Sequence, residues 1–88
     1  MNLDEAKSHL RESGLKLTRP RALILEAIFL VPAPFTAEEL HARIRALKRR
    51  ASCDLATLYR ALASLEKIGL IHRFDMGDDA GYFELRPL

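Results

Sequence analysis

Asp54-Leu55-Ala56-Thr57-Leu58-Tyr59-Arg60-Ala61-Leu62-Ala63-Ser64-Leu65-Glu66-Lys67-Ile68-Gly69 is the stretch whose periodicity decides the fold. Asp54 can accept from the orphan N–H groups of a first helical turn, and Gly69 suits the exit from a last one. Between them, at about 100° per residue, Leu55, Leu58, Leu62, Leu65 and Gly69 fall on one side, with Ala61 and Ile68 at its border. The opposite side centres on Ala56, Arg60, Ala63 and Lys67, flanked by Tyr59 on one edge and by Thr57 and Ser64 on the other. This predicts an amphipathic helix over residues 55–68.

Downstream, Leu70-Ile71-His72-Arg73-Phe74 and Tyr82-Phe83-Glu84-Leu85 alternate as two strands, and Met76-Gly77-Asp78-Asp79-Ala80-Gly81 supplies the turn of a hairpin. Upstream, Thr36-Ala37-Glu38-Glu39 is a capping box for a helix over residues 37–48, with Leu40, Ile44 and Leu47 as its buried stripe. Pro32-Ala33-Pro34 ends a preceding helix over 19–31, which Thr18 caps and which carries Pro20 in its first turn. That helix is apolar on nearly every side and belongs at the centre of the core. A first short helix over 3–13, with Leu3, Ala6 and Leu10 on one face, stops at Gly14. The expected fold is mostly α with a C-terminal β-hairpin: a winged helix-turn-helix, one domain over residues 1–88. The third and fourth helices form the turn-linked pair, with a compact link from Arg49 to Cys53, and residues 70–86 form the wing.

Eighty-eight residues leave no room for a second core. Fourteen Lys and Arg against twelve Asp and Glu give a formal charge of +2, a mild basic lean compatible with nucleic acid. The longest apolar stretch, residues 23–35, is interrupted by Glu26 and too short to span a bilayer. The start Met1-Asn2-Leu3-Asp4-Glu5 has no secretory pattern, so a cytoplasmic location is expected. The single cysteine, Cys53, excludes an internal disulfide and a multi-cysteine zinc site within the chain.

Two readings stand for the polar face of the fourth helix. Arg and Lys there commonly mark nothing more than a solvated surface. The helix-turn-helix setting and an outward Tyr59 favour DNA recognition instead: Arg60 can donate two bonds to a guanine edge, and Tyr59 and Thr57 offer apolar contact to a thymine methyl. Small residues such as Ala56 and Ala63 let a groove wall approach.

Taken together, several strings carry a resemblance: Gly14-Leu15-Lys16-Leu17-Thr18-Arg19-Pro20-Arg21, Thr36-Ala37-Glu38-Glu39-Leu40, Ala56-Thr57-Leu58-Tyr59-Arg60-Ala61-Leu62, Gly69-Leu70-Ile71 and Tyr82-Phe83-Glu84-Leu85. In order and spacing they resemble the DNA-binding domain of the ferric uptake regulator family, from Ser13 onward. The resemblance implies a winged-helix repressor that binds AT-rich inverted repeats in double-stranded DNA. It places the segment Ala56 to Arg60 in the major groove, Leu58 standing where the family has valine. It implies that Tyr59 and Arg60 read bases and that Thr57 lies near phosphate. Lys16 would reach the minor groove and Arg21 the backbone. Arg19 and Lys67 add electrostatic anchoring.

The chain also departs from the family. Its sequence stops at Leu88, before the family's metal-sensing and dimerisation domain with its Cys-x-x-Cys pairs. The loop Pro32-Ala33-Pro34-Phe35 lacks the histidine that the family's sensing site takes from there. Glu84 matches the wing glutamate ligand, but one carboxylate is not a site. No metal and no cofactor are therefore expected. His9, His41 and His72 lie on three different elements without ligand spacing, His41 as a helix-surface residue and His72 between core and solvent. Cys53, before a helix N-terminus, is either a reactive thiol or a partly buried small residue, and the second is favoured.

Arg43, Arg45, Lys48, Arg49 and Arg50 crowd the end of the third helix, complementing its dipole and within possible reach of phosphate. Asp75, Asp78 and Asp79 make the wing tip acidic, which predicts little affinity from the wing. No phosphate loop, nucleophile elbow or paired-carboxylate constellation supports an enzyme. The expected function is a sequence-specific DNA-binding regulator acting as two copies on DNA, with the first helix and the wing edge as candidate dimer contacts. The competing expectation is a winged helix that modulates a full-length relative by protein contact without binding DNA.

Overall fold

The structure, a computed structural model, describes residues 1–47, 53–78 and 80–86. Four helices, α1 (Leu3–Glu12), α2 (Arg19–Ile28), α3 (Ala37–Leu47) and α4 (Leu55–Lys67), precede two strands, β1 (Ile71–Asp75) and β2 (Gly81–Leu85). This is the winged helix-turn-helix that the periodicity predicts. The compact link from Arg49 to Cys53 falls mostly outside the described residues.

Local chemistry starts and stops each helix. Asn2 and Glu5 form a capping box on α1, the Glu5 amide donating to Asn2 Oδ1 at 2.8 Å and the Asn2 amide to Glu5 Oε1 at 2.9 Å. Thr18 accepts from the Arg21 amide at 3.3 Å, and Pro20 occupies the first turn of α2. Thr36 and Glu39 close the capping box of α3 at 3.1 and 2.8 Å. Asp54 Oδ1 accepts from the Thr57 amide at 2.7 Å. Gly69, with φ of 82°, takes the left-handed conformation that turns the chain from α4 into β1.

One boundary differs from expectation. Helix α2 stops at Ile28, with Phe29 as its cap, and the amides of Leu30 and Val31 both fold back onto the Ala27 carbonyl at 3.0 Å. Pro32 disfavours helical geometry at the preceding residue, so the helix unwinds before the proline. Leu30 is consequently exposed rather than part of the core.

The core is one cluster built around Leu23, Ile24, Leu25, Ala27 and Ile28 of α2. Ala6 and Leu10 of α1, Leu40 and Ile44 of α3, Leu58, Leu62 and Leu65 of α4, and Ile71 and Phe83 of the hairpin close over it. Burying each large aliphatic side chain stabilises by about 1.5–3 kcal/mol. The hairpin pairs antiparallel with Ile71 opposite Leu85, Arg73 opposite Phe83 and Asp75 opposite Gly81. Beyond the hairpin, Phe35 from the α2–α3 loop bridges to Phe83, each amide donating to the other's carbonyl, at 3.0 and 2.8 Å. The two rings stack at 6.0 Å. This bridge fixes the start of α3 against the wing.

Candidate nucleic-acid interface

Helix α4 stands as a ridge between two grooves. Its apolar side chains Leu58, Leu62 and Leu65 are buried, with Leu55, Ala61 and Ile68 half-buried, as 3.6-residue spacing dictates. Ala56, Tyr59, Arg60, Ala63 and Lys67 remain exposed, Tyr59 at 46% despite its size. Its ring is the one large aromatic surface left open among the described residues of α4.

The groove on one flank, about 380 Å³, lies between α4 and the start of α2 and is lined by Thr18, Pro20, Arg21, Thr57, Arg60 and Ser64. It gathers hydroxyls and guanidinium groups without a carboxylate. The first turn of α2 carries no acidic residue, whereas those of α1 and α3 hold Asp4 with Glu5 and Glu38 with Glu39. Arg21 Nη1 donates to the Lys16 carbonyl at 2.9 Å and thereby ties the loop carrying exposed Lys16 to the helix start. Arg60 Nη2 donates to Thr57 Oγ1 at 3.3 Å, a long bond that leaves most of the guanidinium's donors available. The fold thus brings Arg21, Thr57 and Arg60 onto one groove, with Lys16 held to it through its backbone and exposed Arg19 opening α2 beside it. Lys67 sits apart, two turns down the ridge from Arg60. Tyr59 faces the other flank.

That second groove, about 570 Å³, separates α4 from the wing and is lined by Glu38, Tyr59, Ala63, Glu66, Arg73 and Phe83 among others. The Tyr59 hydroxyl donates to Glu38 Oε2 at 3.0 Å. This bond, with lesser contributions from burial and the Glu38 charge, raises the phenol above its ordinary pKa, while Arg73 opposes the shift. Arg73 arrives there by strand alternation: it shares the inward face of the hairpin with Ile71 and Phe83 but lies beyond the core's edge. Its guanidinium lies over Gly81, where an added Cβ would come within 2.8 Å of Nε. Among the described residues no carboxylate forms an ion pair with Arg73.

Sequence reasoning missed both Arg73 and Glu38. Counting by twos from Ile71 would have aimed Arg73 inward. Nothing local announces the contact between Glu38 and Tyr59, which are 21 residues apart.

At the wing tip the carboxylates are occupied locally. Asp75 Oδ1 accepts from the Gly77 amide at 2.9 Å, and Asp78 Oδ2 accepts from the Tyr82 hydroxyl at 2.8 Å, raising that phenol too. Asp79, and Lys48, Arg49 and Arg50 of the basic run, lie outside the described residues.

Each histidine donates Nε2–H across elements at 2.8 Å: His9 to the Ile68 carbonyl, His41 to the Cys53 carbonyl, and His72 to Glu84 Oε1. His41 is therefore half-buried and structural, a correction to its expected place as an ordinary surface residue, because the Cys53 carbonyl just ahead of α4 lies within hydrogen-bond reach of its ring. His72 does lie between core and solvent, on the outer face of the wing. Burial raises the Cys53 thiol above its ordinary pKa, with the neighbouring Asp54 charge acting the same way against a backbone hydrogen bond. This favours the inert reading of that residue. Among the described residues no three His, Cys, Asp or Glu side chains assemble as a metal site. No described helix is long and apolar enough to cross a membrane.

Residues 12–87 match the ferric uptake regulator family. The ferric uptake regulation protein of Synechococcus elongatus is 34% identical over 85 residues, covering 93% of this chain and 56% of that protein. Among solved structures, the manganese-containing ferric uptake regulator of Pseudomonas aeruginosa superposes with a TM-score of 0.80 at 32% identity, covering 91% of this chain and 59% of that one. The Vibrio cholerae ferric uptake regulator, whose DNA-binding domains undergo a structural rearrangement, gives 0.77 at 34% identity, over 89% of this chain and 59% of that one. The chain spans about half the length of the curated relatives it matches. With the winged helix-turn-helix and the family match over residues 12–87, the chain belongs to the ferric uptake regulator family.

Proposed function

We propose that the chain is a sequence-specific double-stranded DNA-binding module of a transcription regulator, reading an AT-rich inverted repeat with α4 in the major groove. The observation that carries this reading is the exposed ridge of α4, with Ala56, Tyr59, Arg60, Ala63 and Lys67 open beside a carboxylate-free groove. In this reading Tyr59 and Arg60 meet base edges, and Thr57 lies at phosphate. Arg19, Arg21 and Lys67 neutralise the backbone, while Lys16 reaches the adjacent minor groove. The Arg21 bond to the Lys16 carbonyl supports that division of labour, because it fixes the loop on the same side as α4.

Regulator relatives, and the DNA-binding domains of the Vibrio cholerae protein, point the same way. In this reading the module needs no cofactor of its own to bind DNA. With so few cations on the face, one copy makes few phosphate contacts, so two copies on the two half-sites of a repeat supply useful affinity.

Selection tests the reading without a guessed operator. The 88-residue chain is incubated with duplexes carrying a randomised core, and bound DNA is recovered and sequenced over several rounds. Convergence on an AT-rich inverted repeat is expected. Recovery of an unchanged, random pool would overturn the reading and favour a winged helix that works through protein contacts.

A further inference from the structure

The groove between α4 and the wing holds an arrangement that DNA recognition by Tyr59 does not by itself require. Tyr59 has one hydroxyl donor, and Glu38 takes it at 3.0 Å. Glu38 has no capping duty: the capping box of α3 uses Glu39, whose carboxylate accepts from the Thr36 amide. Glu38 lies in the first turn of α3, where the helix dipole favours a carboxylate. Three charged side chains share this groove with Tyr59, namely Glu38, Glu66 and Arg73, yet the phenol is bonded to Glu38.

We propose that Glu38 is a positioning residue for base recognition: it holds the Tyr59 ring in one orientation on α4 and removes the phenol's donor. This inference rests on the DNA-binding reading and refines it. A phenol whose proton is committed to a carboxylate can still accept, and its ring face remains apolar. In the major groove it suits an exocyclic amino group of adenine or cytosine, or a thymine methyl. It does not suit a phosphate oxygen, guanine N7 or O6, or thymine O4, all of which need a donor. Glu38 thereby turns a versatile side chain into a selective one, and its negative charge weakens binding to any phosphate backbone that approaches the groove.

The test compares wild type with Glu38→Ala, Glu38→Gln, Tyr59→Phe and the double variant Glu38→Ala/Tyr59→Phe, on the selected duplex and a scrambled one. The reading is the ratio of the two affinities, because loss of the Glu38 charge tightens binding to both. Glu38→Ala and Tyr59→Phe should each lower that ratio about 3- to 10-fold, and the double variant no further than either. The glutamine, whose amide oxygen accepts the same bond, should restore it. An NMR titration of the free proteins supplies a readout independent of DNA. In Glu38→Ala the Tyr59 phenol should fall towards its ordinary pKa, while Tyr82, bonded to Asp78, stays where it is. A sequence-selective wild type whose ratio survives Glu38→Ala, losses that multiply in the double variant, or a glutamine that fails to rescue would overturn the positioning role alone. A wild type indifferent to sequence would sink the DNA reading, and this inference with it.

Discussion

Asp54, the residue before α4, shows how much a single position is asked to do. Asp54 caps the helix, and the Thr57 hydroxyl and amide hold its carboxyl below the ordinary carboxylate value, aided by the nearby charges of Arg60 and His41. A carboxylate depressed in the folded state contributes stability above its unfolded pKa, and that contribution disappears as pH falls through the folded value. Thermal unfolding followed downward from pH of about 5 should therefore show wild type losing stability below about 4. Asp54→Asn, which caps without titrating, should lose less over the same window. Parallel curves for the two proteins would contradict this account of the cap. The Asn2–Glu5 box of α1 was not read in the sequence. The caps Thr18, Thr36 and Asp54, the stops at Gly14 and Gly69 and the polar face of α4 were legible there, since each depends on near neighbours in the chain. The phenol's bond to Glu38 and the inward aim of Arg73 were not, because they depend on which elements the fold sets side by side.

At the scale of elements, the helices and hairpin follow from local period and caps, while their docking depends on contacts between residues distant in sequence. His9 is the clearest case, since its bond to the Ile68 carbonyl joins α1 to the end of α4 across 59 positions. Replacing it with alanine removes a partly buried bond and leaves a helix-end carbonyl without its partner, a loss of about 1 kcal/mol. Urea unfolding should show a lower midpoint with an unchanged slope; an unchanged midpoint would mean that α1 docks by Ala6 and Leu10 alone. The Phe35–Phe83 bridge belongs to the same class. Alternation in Tyr82-Phe83-Glu84-Leu85 marked a strand, but nothing in the sequence indicated that the α2–α3 loop would pair with it. The early stop of α2 was legible in principle, since Pro32 constrains Val31.

Across the whole molecule, the formal charge of +2 conceals a segregation that the composition could not reveal. Guanidinium groups and hydroxyls without a carboxylate line the groove between α2 and α4, while Glu38 and Glu66 share the one between α4 and the wing with Arg73. In the proposed complex, a duplex laid along α4 would meet unlike surfaces on its two sides, which would favour one orientation over the other. At the wing tip Asp75 and Asp78 accept bonds from neutral donors such as the Gly77 amide and the Tyr82 hydroxyl, so they keep the negative charge that the sequence reading weighed against affinity from the wing. Fluorescence anisotropy on a labelled AT-rich inverted repeat and on a scrambled duplex, at two salt concentrations, tests the central claim most directly. Wild type should prefer the repeat, and its salt slope should count phosphate contacts at about 0.9 each. Arg60→Ala should abolish the preference at a loss of about 1–3 kcal/mol. Equal binding to both duplexes, unmoved by the substitution, would contradict the claim that α4 reads DNA.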